Sequence, residues 1–225
     1  MSKIGTADIK GIMLGNTEIS KAYLGSDIVY QNDVPLPYDA EIEYLYSSGE
    51  GQYIDTLIPY DSTIVVEGSV QLTGTATGNY IFGIYTTVEG SARRWAVQCY
   101  STTAVRLHFG TVTNVSASFS RGVFHTIRAD YRYLTVDGTS TNSKAAKFTP
   151  EHDVNIYLFA RSVNNNADTF RAVYIGDFKI YKGNALVRDF IPVRVGQVGY
   201  MYDKVSKQLF GNSGTGSFTL GADKN

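Results

Sequence analysis

Hydrophobic and polar residues alternate with a period of two through several stretches of this chain. Trp95, Val97 and Cys99 fall on one parity and Arg94, Gln98 and Tyr100 on the other, with Ala96 between them. Val105, Leu107 and Phe109 alternate with Arg106 and His108. Ile127, Ala129 and Tyr131 alternate with Thr126, Arg128 and Asp130. Successive side chains of a strand point to opposite faces, so the period predicts half-buried β-strands whose apolar parity lines a core. Eight segments have strand composition: 64–72, 79–85, 93–100, 104–110, 124–131, 133–136, 154–160 and 172–181. Turn signals join several of them, at Asp137-Gly138, Lys182-Gly183-Asn184 and Asn164-Asn165-Asn166. No amphipathic helix of three turns stands out, and the run Asn142 to Lys147 reads equally as a short helix or a loop. The fold class expected is all-β, an antiparallel two-sheet sandwich.

The first thirty or so residues read as a separate piece. Ile12-Met13-Leu14-Gly15-Asn16-Thr17-Glu18-Ile19 is echoed by Ala22-Tyr23-Leu24-Gly25-Ser26-Asp27-Ile28-Val29. Each copy places a Gly-plus-polar turn between two short apolar runs, the arrangement of a tight hairpin. A small β-meander over 1–32 is expected, then a linker over 33–38 stiffened by Pro35 and Pro37, then one large sandwich over 39–225. So short a meander buries little surface and needs a partner, either the sandwich or another chain.

Composition narrows the function. Net charge is −1, with 20 basic against 21 acidic residues, so nothing global favours a polyanion, and no nucleic-acid partner is expected. A single cysteine excludes an internal disulfide framework, and its place beside Val97 and Trp95 predicts a buried thiol. No apolar run reaches the ~20 residues of a membrane helix, and the opening residues lack the apolar stretch of a cleaved leader.

The ends of the large domain carry distinctive text. It begins Ile42-Glu43-Tyr44-Leu45-Tyr46-Ser47-Ser48-Gly49-Glu50-Gly51-Gln52-Tyr53-Ile54-Asp55-Thr56 and closes with Leu186-Val187-Arg188-Asp189-Phe190-Ile191-Pro192-Val193-Arg194, Gly199-Tyr200-Met201-Tyr202-Asp203 and Phe210-Gly211-Asn212. These segments resemble the concanavalin A-like (laminin G-like) jelly-roll domains of prophage tail and gut-bacterial surface proteins. The N-terminal repeat similarly resembles a short module of phage tail proteins. The resemblance implies a jelly roll over roughly 40–222, in which Tyr53-Ile54 and Phe190-Ile191 are strands and the terminal strands commonly pair. A further short strand is expected at 217–220. The fold hosts lectins, glycanases and adhesion modules alike, so it leaves activity open.

Catalytic signatures are absent from the sequence. Glycanases of this fold carry alternating carboxylates on one strand, commonly Glu-x-Asp-x-x-Glu. Glu41-x-Glu43 is the nearest approach, at the domain entry, and reads as a solvated edge. His108, His125 and His152 lie on separate segments without metal-ligand spacing, so no catalytic residue and no metal site is assigned. Some relatives bind calcium through oxygen-rich turns; Asp137, Asp153 with Asn155, and 164–168 are the candidates, against the commoner reading of self-bonded turn residues.

The polar parities suggest a binding face. If the strands over 93–100, 104–110 and 124–132 are neighbours, Arg94, Gln98, Tyr100, Arg106, His108, Arg128 and Asp130 share one outer surface. Planar hydrogen-bonding groups beside an aromatic suit saccharide recognition, while an ordinary solvated sheet face is the alternative. Trp95 belongs to the core by its parity. The expected function is non-enzymatic, a phage tail or adhesion-type protein binding a bacterial surface carbohydrate. Its location would be the virion or the bacterial surface, with tail or surface proteins as partners of the N-terminal module and homo-oligomerisation left open. A purely structural virion module and a glycan hydrolase with an atypical site are the rival readings.

Overall fold

A computed structural model of the chain describes 12–14, 17–19, 21–24 and 27–31 at the level of backbone pairing, and 35–224 apart from 112 and 143–145. The chain divides into two compact units, Met1–Leu36 and Pro37–Asn225. In the first, β1 (Ile12–Leu14) pairs with β2 (Thr17–Ile19), and β3 (Lys21–Leu24) with β4 (Asp27–Gln31). Leu14 lies opposite Thr17 and Leu24 opposite Asp27, so the two short strands of each repeat copy pair antiparallel. Of the Asn142–Lys147 run, 143–145 fall outside the described residues.

The second unit carries, in chain order, β5 (Ala40–Glu41), β6 (Leu45–Ser48), β7 (Ile54–Pro59), β8 (Ile64–Leu72), β9 (Tyr80–Val88), β10 (Ser91–Ser101), β11 (Ala104–Gly110) and β12 (Thr113–Ser118). There follow β13 (Phe124–Ala129), β14 (Tyr133–Val136), β15 (Thr139–Asn142), β16 (Asn155–Leu158), β17 (Arg161–Val163), β18 (Asn166–Asp168), β19 (Ala172–Lys182), β20 (Ala185–Val195), β21 (Val198–Asp203), β22 (Gln208–Phe210) and β23 (Thr219–Leu220). Two sheets result. One runs β12-β11-β10-β9-β16-β7, with β17 and β18 attached at β9; the other runs β15-β14-β13-β8-β19-β20-β21-β22, with β5, β6 and β23 attached at its side. Neighbours are antiparallel except β17 against β9. The protein is an all-β sandwich, as the alternation predicts.

The core sits between the sheets and is built from the apolar parities. Along β8 every second residue is buried, from Ile64 to Leu72. Trp95, Val97, Cys99, Val105, Leu107, Phe109, Ile127 and Ala129 all face inward. Trp95 stacks on Tyr60 with ring centroids 5.0 Å apart, and its indole N–H donates across the sandwich to the Asp130 carbonyl at 2.7 Å. Burying the ring without that acceptor would leave a desolvated donor, so the bond lets the largest core side chain sit wholly inside.

Two sequence expectations need correction. The strand holding Ile54 lies in one sheet and that holding Phe190 in the other, so these segments do not pair. The ends of the unit meet instead through β5 on β20 and β6 on β23. More consequentially, β13 pairs with β8 and β14, on the sheet opposite β10 and β11. Arg128 and Asp130 therefore cannot share a surface with Arg94, Gln98, Tyr100, Arg106 and His108. Hairpin turns tie β10 to β11 locally, but β13 follows a longer connection, which can cross between sheets.

A candidate carbohydrate-binding trough

The outer face of β9, β10 and β11 holds five of the seven residues singled out by alternation. Cross-strand register sets Arg94 beside Tyr85, Ala96 beside His108, and Gln98 beside Arg106. These groups are largely spent on one another. The Arg106 guanidinium lies 3.2 Å above the Tyr100 ring, and its Nε donates to the Ser116 hydroxyl at 3.4 Å. Gln98 donates to the Gly78 carbonyl at 2.5 Å and accepts from His108 Nε2 at 2.6 Å. Arg161 from β17 lies over Tyr80 and Tyr85, 4.5 and 4.9 Å from their ring centres, and bonds Asp168. Burial, then Arg94, Arg106 and Arg161, push His108 down to about 4, so it is a neutral imidazole at physiological pH. Tyr100 remains 45% exposed.

Of the other two, Arg128 points outward from β13 and pairs with Glu67 at 2.9 Å. Asp130 closes the β13–β14 turn, its Oδ1 accepting from the N–H groups of Arg132 and Tyr133. It is a turn residue.

The outer face of the second sheet is organised differently, in three lateral rows. Phe124, Gln71, Tyr174 and Tyr46 lie side by side on β13, β8, β19 and β6. Tyr44 joins them, 4.8 Å from Tyr174 edge to face and 6.0 Å from Phe124. The next row is low: Thr126 opposes Ser69, and β19 is irregular between Ile175 and Phe178, which brings Gly176 over the floor. A Cβ added at Gly176 would lie 3.3 Å from that of Ser69, so a larger residue would crowd the floor. The third row is charged, running Arg128, Glu67, Lys179 and Asp189. Between an aromatic wall and a charged wall runs a trough.

The trough contains an open pocket of about 440 Å³ lined by Glu43, Ser69, Phe124, Gly176, Asp177 and Lys224, and one of about 170 Å³ that shares Ser69 and Asp177. Lys224 reaches in and pairs with Asp177 at 3.1 Å. Phe124 is 40% exposed and continues the aromatic row of Tyr44 and Tyr174. Burial, Tyr46 and Tyr44 raise the Tyr174 phenol above its usual range, which keeps it a neutral hydroxyl. Stacking surface on one side and donors and acceptors on the other is the chemistry of a sugar ring's two aspects, its apolar C–H face and its hydroxyl edge. Sequence reading passed over this face. The signal present was parity: Phe124 falls with the polar Thr126 and Arg128, and Tyr44 with Tyr46.

The oxygen-rich turns do not suit calcium. Asp137 accepts from His125 and the Thr126 N–H, Asn165 ties Asn155 N–H to the Asp153 carbonyl, and Asp168 is matched by Arg161. A guanidinium beside Asp168 repels a dication. Among the described residues no three His, Cys, Asp or Glu side chains converge.

No family model and no curated protein matches the chain. Among solved structures it is similar to "a putative carbohydrate binding protein" from Bacteroides ovatus ATCC 8483, with a TM-score of 0.54 at 11% identity over 82% of this chain. The match takes in 61% of that protein, less than two thirds of its length. The likeness is one of fold.

Proposed function

We propose that this chain is a carbohydrate-recognition module of a phage tail or surface-adhesion protein, holding a bacterial surface glycan in the trough over β13, β8 and β19. The observation that carries the reading is the row of exposed Phe124 and half-buried Tyr174 and Tyr44 facing the charged row of Arg128, Glu67 and Lys179 across a floor of small residues. The described neighbour of the same fold, designated a carbohydrate binder, supports it. On this reading the trough holds its ligand without cleaving glycosidic bonds, since Glu67 and Asp177 are each paired with a cation. Retaining or inverting hydrolysis needs two carboxyl groups aligned across one bond. The N-terminal hairpins, which resemble a tail module, supply attachment to other tail or surface proteins, and multivalent assembly would raise avidity for weak sugar contacts.

The test is titration of host surface polysaccharide against wild type, Phe124→Ala/Tyr174→Ala and Tyr100→Ala/Arg106→Ala, with melting temperature as the folding control. The trough variant is expected to lose at least about tenfold in affinity, equivalent to ~1.4 kcal/mol. The other pair should bind like wild type, because its groups already satisfy one another. Loss only in the Tyr100/Arg106 variant would move the ligand to the β9–β11 face, where half-exposed Tyr100 favours that second reading. Wild-type protein silent against every host glycan would leave a structural module.

A further inference from the structure

At the open edge of the sandwich, Ser120, His125 and Asp137 stand in line. His125 Nδ1 lies 2.5 Å from Asp137 Oδ2, and Ser120 Oγ lies 2.9 Å from His125 Nε2. An ionised carboxylate only accepts, so the Asp137 contact places a proton on Nδ1 and leaves the Nε2 lone pair toward the Ser120 hydroxyl. The order is hydroxyl, imidazole, carboxylate.

Local structure holds all three. Asp137 sits in the tight β14–β15 turn with φ 47°, and its Oδ1 is fixed by the Thr126 N–H at 2.9 Å. The His125 ring packs on buried Phe119 at 4.2 Å, while Ser120 is exposed. The three border a pocket of about 560 Å³ between edge strands β12 and β15, whose lining includes the hydroxyl residues Ser116, Ser118 and Thr139. The trough is lined by other residues.

We propose that Ser120 is an activated nucleophile cleaving small acyl esters carried on hydroxyl-bearing molecules. Ser120 Oγ bonds to the ester carbonyl carbon as its proton passes to His125 Nε2. The C–O bond to the alcohol then breaks, and the departing oxygen takes that proton. Water next adds to the acyl carbon, giving its proton to His125; the acyl–Ser120 bond breaks, Ser120 recovers the proton, and a carboxylic acid leaves. Asp137 holds the imidazole in register and balances the imidazolium. The Ser120 carbonyl, 3.1 Å from Nε2, can accept from the protonated ring. Hydroxyl side chains in the pocket are the donors available to the carbonyl oxygen.

The experiment uses the full chain with p-nitrophenyl acetate, and intact-mass analysis after a fluorophosphonate probe. One adduct mapping to Ser120 is expected, with hydrolysis above buffer. Ser120→Ala should abolish the adduct and most turnover, and His125→Gln should cost on the order of 10²-fold or more. Asp137→Asn should slow labelling while Ser120 stays in place. Ser120 is exposed, so its alanine variant should melt with wild type and retain polysaccharide binding. Hydrolysis unchanged in folded Ser120→Ala, no adduct on wild type, or an adduct on another residue would overturn the proposal. None of these results bears on the trough.

Discussion

His108 shows how a single residue can carry pH information without being a ligand. Its folded value of about 4 lies below the ordinary 6.5, through burial first and the three arginines second. The unfolded chain therefore binds more protons between those values, and stability rises with pH across that window. Full stability is present above about 6.5 and is lost as pH falls toward 4, by on the order of 1–2 kcal/mol once solvent access is allowed for. In His108→Gln the amide still supplies a donor to Gln98, and urea midpoints between pH 4.5 and 7 should flatten. An unchanged pH slope would show that burial and the three arginines together do not hold the ring down as described.

At the scale of elements, the β20–β21 hairpin is held by one buried carboxylate. Asp203 accepts from the N–H groups of Asp189, Val205 and Ser206, with Arg188 3.4 Å away. Burial alone would raise it, but the hydrogen bonds from Ser206, Asp189 and Val205 prevail and hold it below the usual carboxylate range. That contribution is present above about pH 4 and lost as pH falls through the lower folded value. Asp203→Asn should cost about 1–3 kcal/mol at pH 7, the range for disturbing a buried hydrogen-bond partner. The gap between variant and wild type should be smaller at pH 3 than at pH 7, because the unfolded carboxylate is by then largely protonated and the folded group's lowered value contributes less. A constant gap in denaturant titrations at both pH values would contradict this account.

For the whole molecule, the division after Leu36 has a direct consequence. The segment entering the sandwich unit is exposed at Pro35 and Leu36. Limited proteolysis should leave a stable fragment beginning near residue 38, identified by mass and retaining the cooperative melt of the full chain. A fragment that aggregates at once would show instead that the N-terminal residues complete the sandwich core. Such a fragment should also keep glycan affinity per site, while losing whatever avidity assembly through the hairpins provides.

The period-two pattern was sufficient for eight of the sandwich strands, β8 to β11, β13, β14, β16 and β19, for the inward parity of Trp95, Val97, Leu107 and Ile127, and for the burial of Cys99, because side-chain direction along a strand is a local property. Which strands lie side by side was not legible, since pairing across a long connection depends on how both sheets close over one core. Tertiary structure alone sent β13 to the opposite sheet, split Arg128 from Arg106, and brought Phe124 from β13 beside Gln71 and Tyr174. It also lined up Ser120, His125 and Asp137, whose spacing matches no motif. A site assembled laterally across strands leaves no period in the chain, because its members are neighbours only through hydrogen bonds between distant segments.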